Sequence, residues 1–370
     1  MNIGIDARLL ERKMTGIGRV LMMILKELPQ NDNKNKYFLF SYGRLNLIEE
    51  FYRNIPTVKS FLPQKFFSPF WINFILPYYL KKNKIDLFFS INQLIPLIKI
   101  KGVKYILVLH DVTHKVNKSF HPYSYRKYLQ FFTYFSIKRS DLIITVSNYS
   151  KQDILKHYKV DADKIKVLYQ AADKGFHPVN FSEEVKAEEK KMFGSPQHLV
   201  LYIGMIENRK NILGILKIAD EIYTRNKSIK FLLIGKIGYG GNNLLKEILK
   251  RENVIYLRSV DDNLLKKIYN ISSVFLFPSY YEGFGFPPLE AMQSGLPVLA
   301  SDNTSLKEIM DSGGILHDPD DYHSFSEDIL KLINDKGFYT EIRDRGIERA
   351  KKFNINITVE EIINIFNSFK

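Results

Sequence analysis

The 370-residue sequence contains no cysteine. That excludes a disulfide framework and thiolate metal centres, and a reducing compartment is the expected setting. Also missing is any unbroken apolar run of the roughly 20 residues that a membrane-spanning helix needs. The nearest approach, "FFSPFWINFILPYYL" at 66–80, is shorter and holds two prolines. It reads as a buried helix or a membrane-facing patch, with burial the stronger reading. No charged, apolar, small-residue leader opens the sequence, which starts on the strand-like "MNIGIDARLL"; a cytoplasmic location is expected from that. Repeats and low-complexity tracts do not occur.

Negative charge is scarce in one half only. Residues 1–180 carry 29 Lys and Arg against 13 Asp and Glu, whereas residues 181–370 carry 25 against 27. The whole excess behind the net charge of +14 therefore lies in the first half. Such asymmetry points to an anionic partner: nucleic acid, acidic lipid or a phosphorylated substrate. A Lys- and Asn-rich codon bias is the competing explanation.

What is present suits a globular enzyme. Hydrophobic residues make up 45% and aromatics 14%, and the length exceeds the size at which single cores stop growing, so two domains are expected. Short β-rich runs alternate with amphipathic segments, the mark of βαβ units and parallel sheets. In the first half the strands are "NIGIDA", "KYFLFS", "DLFFSI", "YILVLHD", "LIITVS" and "IKVLYQ". In the second they are "HLVLYIGMI", "KFLLIGK", "NVIYLRSV", "VFLFPS", "PVLAS" and "GGILHD", with helices over 211–225, 242–251, 262–270, 288–294, 304–310 and 323–334. The polar, proline-bounded stretch between them separates a first domain, 1–178, from a second, 197–354, with 179–196 as linker. An amphipathic segment at about 355–370 is expected to pack back, on the first domain by preference. Two doubly wound domains would hold ligand at the carboxyl ends of their strands.

Five stretches carry candidate chemistry. "TGIGRV" (15–20) has Gly16 and Gly18 but no third small residue for a dinucleotide fingerprint, so a loop capping a helix is the plain reading. Glycines there still let backbone N–H groups approach an anion or sugar. "IENRKNILGILKIA" places Arg209 and Lys210 at a helix start, where cations oppose the macrodipole by roughly 0.3–1 kcal/mol each; phosphate binding would offset that cost. "LIGKIGYGGNN" is glycine-rich without Gly-Lys-Ser/Thr, and either lines a nucleotide pocket or makes a tight connection. "LVLHDVTH" puts His110 and Asp111 at a strand's carboxyl end, where His can donate to a hydroxyl or carbonyl. His114 and His121 match no zinc spacing. Last, "SYYEGFGFPPLEAMQSGLPVLAS" (279–301) sets Glu282 before Gly283-Phe284-Gly285. Pro287 and Pro288 then start a helix, Glu290 falls in its first turn, and Gly295 ends it.

That last stretch resembles the E-x7-E motif of retaining glycosyltransferases of family 4. The likeness extends in the family's order through "IGIDARLL…TGIGRV", "LHDVTH", "IITVSNYSKQDILKHYKV", "IGMIENRKNILGIL" and "GGILHDPDD". It implies an α/β GT-B fold, two Rossmann-like doubly wound parallel-sheet domains facing across a cleft. It implies that Arg209 and Lys210 bind the donor diphosphate, Glu290 the ribose and Glu282 the transferred sugar. Gly283, Phe284, Gly285 and Phe286 would line the donor, with Val260 next to the base. His110 would touch the sugar near the anomeric carbon, while Gly16 and Gly18 close over the reaction centre. No metal or other cofactor is implied, so "DPDD" (318–321) reads as turn residues. Two departures stand out: Met205 replaces a commoner polar residue or Arg, and "YQAAD" (169–173) replaces Asn-Gly-Val-Asp.

The expected activity is retaining, metal-independent hexosyl transfer from a nucleotide sugar to a lipid-linked surface glycan such as a polyprenyl-diphosphate oligosaccharide. The "RKN" form is most similar to mannosyl- or rhamnosyltransferases, which makes GDP-mannose the donor to expect. Peripheral contact with anionic membrane through the basic first domain goes with it. A nucleotide-sugar epimerase on the same fold is the alternative, separable by product analysis without acceptor. A nucleic-acid-binding protein, suggested by pI ≈ 9.4, lacks any recognition helix, RRM or zinc pattern, and no nucleic acid partner is expected.

Overall fold

The computed structural model describes residues 1–11, 16–43, 45, 52–56 and 68–370, with backbone only for 53–56. The chain divides into two compact units. Unit 1 comprises Met1–Lys118, Tyr123–Asp173 and Asn354–Lys370; unit 2 comprises Ser119–Pro122 and Lys174–Phe353.

Among the described residues, unit 1 has seven strands: β1 (Asn2–Asp6), β2 (Lys36–Ser41), β3 (Tyr52–Pro56), β4 (Leu87–Ser90), β5 (Lys104–Val108), β6 (Leu142–Thr145) and β7 (Ile165–Val167). They lie in the order β3-β2-β1-β4-β5-β6-β7, and every pairing is parallel. β4 is buried along its whole length, as expected of a parallel strand covered on both faces, whose sequence reads as a continuous apolar run. The expected strands of this half are all present. β3 is the addition; "YRNIP" has neither alternation nor an apolar run, and as an edge strand it tolerates Pro56.

One face of the sheet packs a core of Phe38, Phe40, Phe88, Tyr105 and Leu107 against Trp71, Ile72, Leu76, Leu80 and Ile137. Of the segment expected over 66–80, residues 66 and 67 lie outside the described residues, and the rest begins as a helix at Ser68. It continues through a π-turn, Trp71–Ile75, into Leu76–Lys82. Trp71 and Leu76 are fully buried, whereas Phe70, Phe74 and Tyr78 are exposed. The C-terminal helix Ile355–Asn367 belongs to unit 1. Its Phe366 ring lies 5.4 Å from Phe89 and 6.4 Å from Tyr37, and Thr358 Oγ1 donates to the Tyr169 carbonyl.

Unit 2 carries six parallel strands: β8 (His198–Ile203), β9 (Ile229–Ile234), β10 (Val254–Leu257), β11 (Val274–Phe277), β12 (Val298–Ser301) and β13 (Ile315–His317). Their order is β10-β9-β8-β11-β12-β13. All six expected helices, Ile212–Arg225, Gly241–Ile248, Asp262–Ile271, Phe286–Gln293, Thr304–Met310 and Tyr322–Asn334, begin within two residues of expectation. Helix Lys336–Ala350 was not anticipated. Its long charged and polar stretches obscure the apolar stripe, and only Ile342, Gly346 and Ala350 are buried. The stretch expected as linker contains the helix Glu183–Lys190, capped by Ser182, and belongs to unit 2.

In both sheets the chain starts centrally, runs outward, then returns to build the other side. The reversal falls between β1 and β4 in unit 1 and between β8 and β11 in unit 2. Loops leaving neighbouring strands diverge at such points and leave a crevice outside the carboxyl ends.

Candidate donor site in unit 2

Two connections leave the switch point of unit 2. Beyond β8 the chain runs through Gly204, exposed Met205 and Ile206 to buried Glu207, then makes a short 3-10 turn, Asn208–Lys210. Asn211 adopts a left-handed conformation at φ 53° and caps the next helix by accepting the Gly214 N–H. Arg209 and Lys210 thus precede the helix rather than occupy its first turn, and their charges meet carboxylates. Arg209 donates to Glu207 Oε1 at 2.7 Å, to the Tyr281 carbonyl at 2.7 Å and to Glu282 Oε2 at 3.3 Å. Lys210 Nζ donates to Glu282 Oε1 at 2.5 Å and sits 5.0 Å from the centre of the Phe277 ring.

Glu282 comes from the second connection. Fully buried β11 ends at Phe277, and the following loop is pinned from the helix Thr304–Met310. The Glu282 N–H donates to Thr304 Oγ1, and Ser305 Oγ lies 2.9 Å from both the Glu282 and Phe284 carbonyls. Gly285 takes φ 124°, where a side chain is strained and a Cβ would meet Leu306 at 3.0 Å. The Phe284 ring is buried against Phe353, so what this residue offers a ligand is backbone.

Electrostatically the cluster is two cations and two carboxylates removed from bulk water. Burial pushes the Glu282 carboxyl up, but Lys210 and Arg209 outweigh it and hold it below its ordinary value. Burial, helped by Arg209, lowers the Lys210 ammonium against the pull of Glu282. Glu282 is therefore an anion at neutral pH, fixed in place by two donors.

Glu290 requires a correction. The helix begins at Phe286, two residues before the expected start, so Glu290 lies in the second turn and outside the favourable end of the dipole. It is buried, and its Oε2 accepts from the Tyr269 hydroxyl at 2.8 Å. Val260 is half-buried in the loop between β10 and the helix Asp262–Ile271. The glycines of "LIGKIGYGGNN" have a structural explanation. A Cβ on Gly235 would fall 1.7 Å from the Gly204 carbonyl oxygen, and one on Gly241 2.0 Å from that of Ile206. The connections after β8 and β9 run side by side, tied by Ile206 N–H to the Lys236 carbonyl and Gly238 N–H to the Ile206 carbonyl. "DPDD" makes the turn into the helix Tyr322–Asn334, which Asp321 caps.

His110, Gly16 and Gly18 belong to unit 1. Gly16 and Gly18 form the first turn of the helix Gly16–Asn31 instead of a loop, and Thr15 lies outside the described residues. His110 is buried two residues past β5, with Nε2 3.2 Å from the Ile91 carbonyl. A carbonyl only accepts, so Nε2 carries the proton and Nδ1 of the neutral ring is an acceptor. Donation to a substrate, as expected for this residue, is already committed to Ile91. Burial lowers the ring below its ordinary 6.5, against the Ile91 carbonyl and Asp111. As pH falls below about 6.5 the unfolded chain takes up a proton that the folded chain resists. The associated stability is thus complete above that pH and is lost progressively below it. Urea unfolding between about pH 7.5 and 5 should show a shallower loss in His110→Gln than in the parent; equal slopes would refute the assignment.

Two contributors escaped sequence reasoning. Glu207, two residues before Arg209, orients its guanidinium, and the i, i+2 spacing of opposite charges was the available signal. Tyr269 had none, being one aromatic on an amphipathic helix. Among the described residues one trio has metal-ligand proximity, Glu221, His323 and Glu327. It is a surface ion-pair group in which Arg225 already engages Glu327.

"Glycosyl transferases group 1" matches residues 184–353 and "Glycosyltransferase Family 4" matches residues 14–175. The sequence is 31% identical over 267 residues to O-antigen chain mannosyltransferase B of Escherichia coli, covering 70% of this chain and 69% of that one. It is 27% identical over 263 residues to the serotype-specific mannosyltransferase WbdA of Escherichia coli, covering 68% of this chain and only 32% of that longer protein. Sucrose-phosphate synthase from Thermosynechococcus elongatus matches the fold with a TM-score of 0.79 at 17% identity, over 100% of this chain and 98% of that one. Fold and site together define a two-domain GT-B α/β protein. The chain belongs to the group 1 glycosyltransferases and is similar to the mannosyltransferases among them.

Proposed function

We propose that the protein transfers a mannosyl residue, with retention of configuration, from GDP-mannose to a growing, lipid-linked surface glycan. The observation that carries this reading is the buried Lys210–Glu282–Arg209 cluster at the switch point of unit 2. The choice of sugar and the surface-glycan setting rest on the similarity to O-antigen chain mannosyltransferase B; rhamnose is the second candidate.

In the reaction the anomeric C–O bond to the diphosphate breaks, and a bond to the acceptor oxygen forms on the same face. The acceptor proton passes to the released diphosphate oxygen. Arg209 and Lys210 neutralise the charge that develops on that diphosphate in a water-poor setting, where such interactions count most. Glu282, held ionised, takes sugar hydroxyls and opposes the positive charge at the anomeric carbon. The Glu290–Tyr269 pair would hold the ribose, with Val260 beside the base. No step calls for a carboxylate pair of the glycosidase kind.

A screen of GDP-, UDP-, dTDP- and ADP-sugars, scored for binding and turnover, tests the reading. GDP-mannose should be preferred, and transfer should persist in excess EDTA. Absence of binding by all donors would sink the enzyme assignment; activity restored only by a divalent ion would sink metal independence. Epimerised sugar formed without acceptor would favour the epimerase.

Membrane attachment has separate support. The helices Leu76–Lys82 and Tyr123–Arg139, with the turn before the first, expose Phe70, Phe74, Tyr78, Tyr123, Phe131 and Tyr134 among Lys82, Lys127, Lys138 and Arg139. Aromatic bodies at the interface and cations over anionic headgroups make that combination suitable for a bilayer surface. No helix among the described residues is long and apolar enough to cross a membrane. Vesicles rich in phosphatidylglycerol should retain the protein at low salt and release it at high salt; equal binding to neutral vesicles would argue against the model of charge-assisted docking.

A further inference from the structure

Three successive residues beyond β12 hold the loop that carries Glu282, and one of them adopts a backbone that its own side chain opposes. Thr304 has φ 51°, in the left-handed region where a β-branched residue is a genuine outlier. Glycine or asparagine would sit there with less strain. A residue kept in such a conformation is over-determined by its surroundings, and such positions cluster at ligand sites.

The hydroxyl supplies a reason for the choice. Thr304 Oγ1 accepts from the Glu282 N–H at 3.3 Å and donates to Asn303 Oδ1 at 3.2 Å, so it acts as acceptor and donor at once. Asn303 Nδ2 in turn donates to the Ser279 and Tyr280 carbonyls, 3.3 Å from each. Ser305 Oγ reaches the Glu282 and Phe284 carbonyls. On its other side the loop is tied to the cationic turn, where the Tyr280 N–H donates to the Arg209 carbonyl at 2.9 Å. A glycine at 304 would relax the backbone but take away the acceptor that places the Glu282 peptide.

This anchor matters because the other one is shared. The tip of Glu282 is fixed by Lys210 and Arg209, and in the proposed reaction both cations turn to the donor diphosphate. Their hold on the carboxylate weakens just when Glu282 must face the sugar. The hydrogen bond from its own N–H to Thr304 does not depend on them. A displacement of about 1 Å at such a group can cost about 10²-fold in rate.

We infer that Thr304 is a positioning residue, whose hydroxyl, retained despite backbone strain, sets Glu282 against the transferred sugar. The inference rests on the reading of Glu282 as the carboxylate that takes the sugar.

Three variants of the full chain separate the hydroxyl from the strain. Thr304→Val keeps the shape and the strained backbone without the hydroxyl. Thr304→Gly loses both, and Thr304→Ser keeps the hydroxyl on an unbranched side chain. Affinity for GDP-mannose is compared with affinity for GDP by calorimetry, beside thermal unfolding. The Val and Gly variants should each raise the Kd of GDP-mannose by about threefold to tenfold, the effect of about one neutral hydrogen bond, and leave that of GDP unchanged. The Ser variant should bind both like the parent. Thr304→Gly should unfold at a higher temperature than Thr304→Val, because glycine accepts the positive φ; shared loss of sugar affinity then follows the hydroxyl and not the stability. Weakening in Val alone would trace the effect to strain and overturn the inference, as would parental affinities in both. Amide exchange over residues 279–284, measured without ligand, should quicken in Val and Gly but not in Ser; equal exchange in all three overturns the anchoring whatever the donor is. A parent that binds none of the screened nucleotide sugars sinks the donor reading and the sugar-facing role together, while the exchange result still reports on the anchor by itself.

Discussion

Lys210→Ala is expected to lower kcat/KM for sugar transfer by about 10²–10³, the range seen when one preorganised charge-stabilising donor is removed. The argument rests on placement. Lys210 is buried, its Nζ is 2.5 Å from Glu282 Oε1, and it arises from the switch-point loop after β8. Alanine leaves the Glu282 carboxylate buried with Arg209, at 3.3 Å, as its cationic partner among the described residues. Breaking a buried pair by deleting one member costs about 3–5 kcal/mol, and the remaining arginine should keep the loss toward or below the lower figure. Lys210→Arg keeps the charge but not the compact single donor, and should recover stability more fully than rate. Steady-state transfer with labelled GDP-mannose, paired with urea unfolding, separates the two effects. A Lys210→Ala enzyme with parental kcat/KM would remove the cluster from the mechanism.

Gly235→Ala should be the most damaging substitution to folding. Its Cβ would stand 1.7 Å from the Gly204 carbonyl oxygen, far inside contact distance, and the obstacle is backbone rather than a side chain that can swing away. Relief requires parting the connections after β8 and β9, which are joined by backbone hydrogen bonds. The cost should exceed the roughly 1–3 kcal/mol of ordinary overpacking. Because the Gly204 segment leads into Glu207 and Arg209, the residual folded protein should also bind donor poorly. Soluble yield and thermal unfolding midpoint measure the first effect. A stable protein with parental midpoint would show that the two connections can separate at little cost.

The readable parts of the sequence were those where one residue type has one physical explanation. Apolar runs such as "VFLF" mark strands buried on both faces, and Pro287, Pro288 and Gly295 bracket a helix. Arg209 and Lys210 stood out because two cations before a helix need a reason. Glu282 was chosen as an unsupported carboxylate in a glycine-rich loop, and the structure supplies its partners. The illegible parts depend on tertiary contacts. Nothing in "YRNIP" marks an edge strand, because its stability comes from pairing with β2. Pro287 and Pro288 read as the start of the helix, which puts Glu290 in its first turn, whereas the helix begins at Phe286 and Glu290 falls in the second. The placement of Asn92 and Gln93 beside Arg8 is invisible without the strand order that brings the ends of β1 and β4 together.

That the last helix returns to unit 1 has a consequence for biogenesis. Residues 174–353, the bulk of unit 2, form one continuous segment, whereas unit 1 lacks its closing helix until residues 354–370 leave the ribosome. Domains usually mature from the N-terminus onward during synthesis. Here the N-terminal sheet must wait, with the Tyr37 and Phe89 rings that Phe366 packs against still bare, while the later unit can complete itself first. Nascent chains stalled before residues 354–370 emerge should therefore hold a protease-resistant unit 2 beside an open unit 1. A chain lacking residues 354–370 would remain in that half-finished condition, a hazard of aggregation that no inspection of the donor site would disclose.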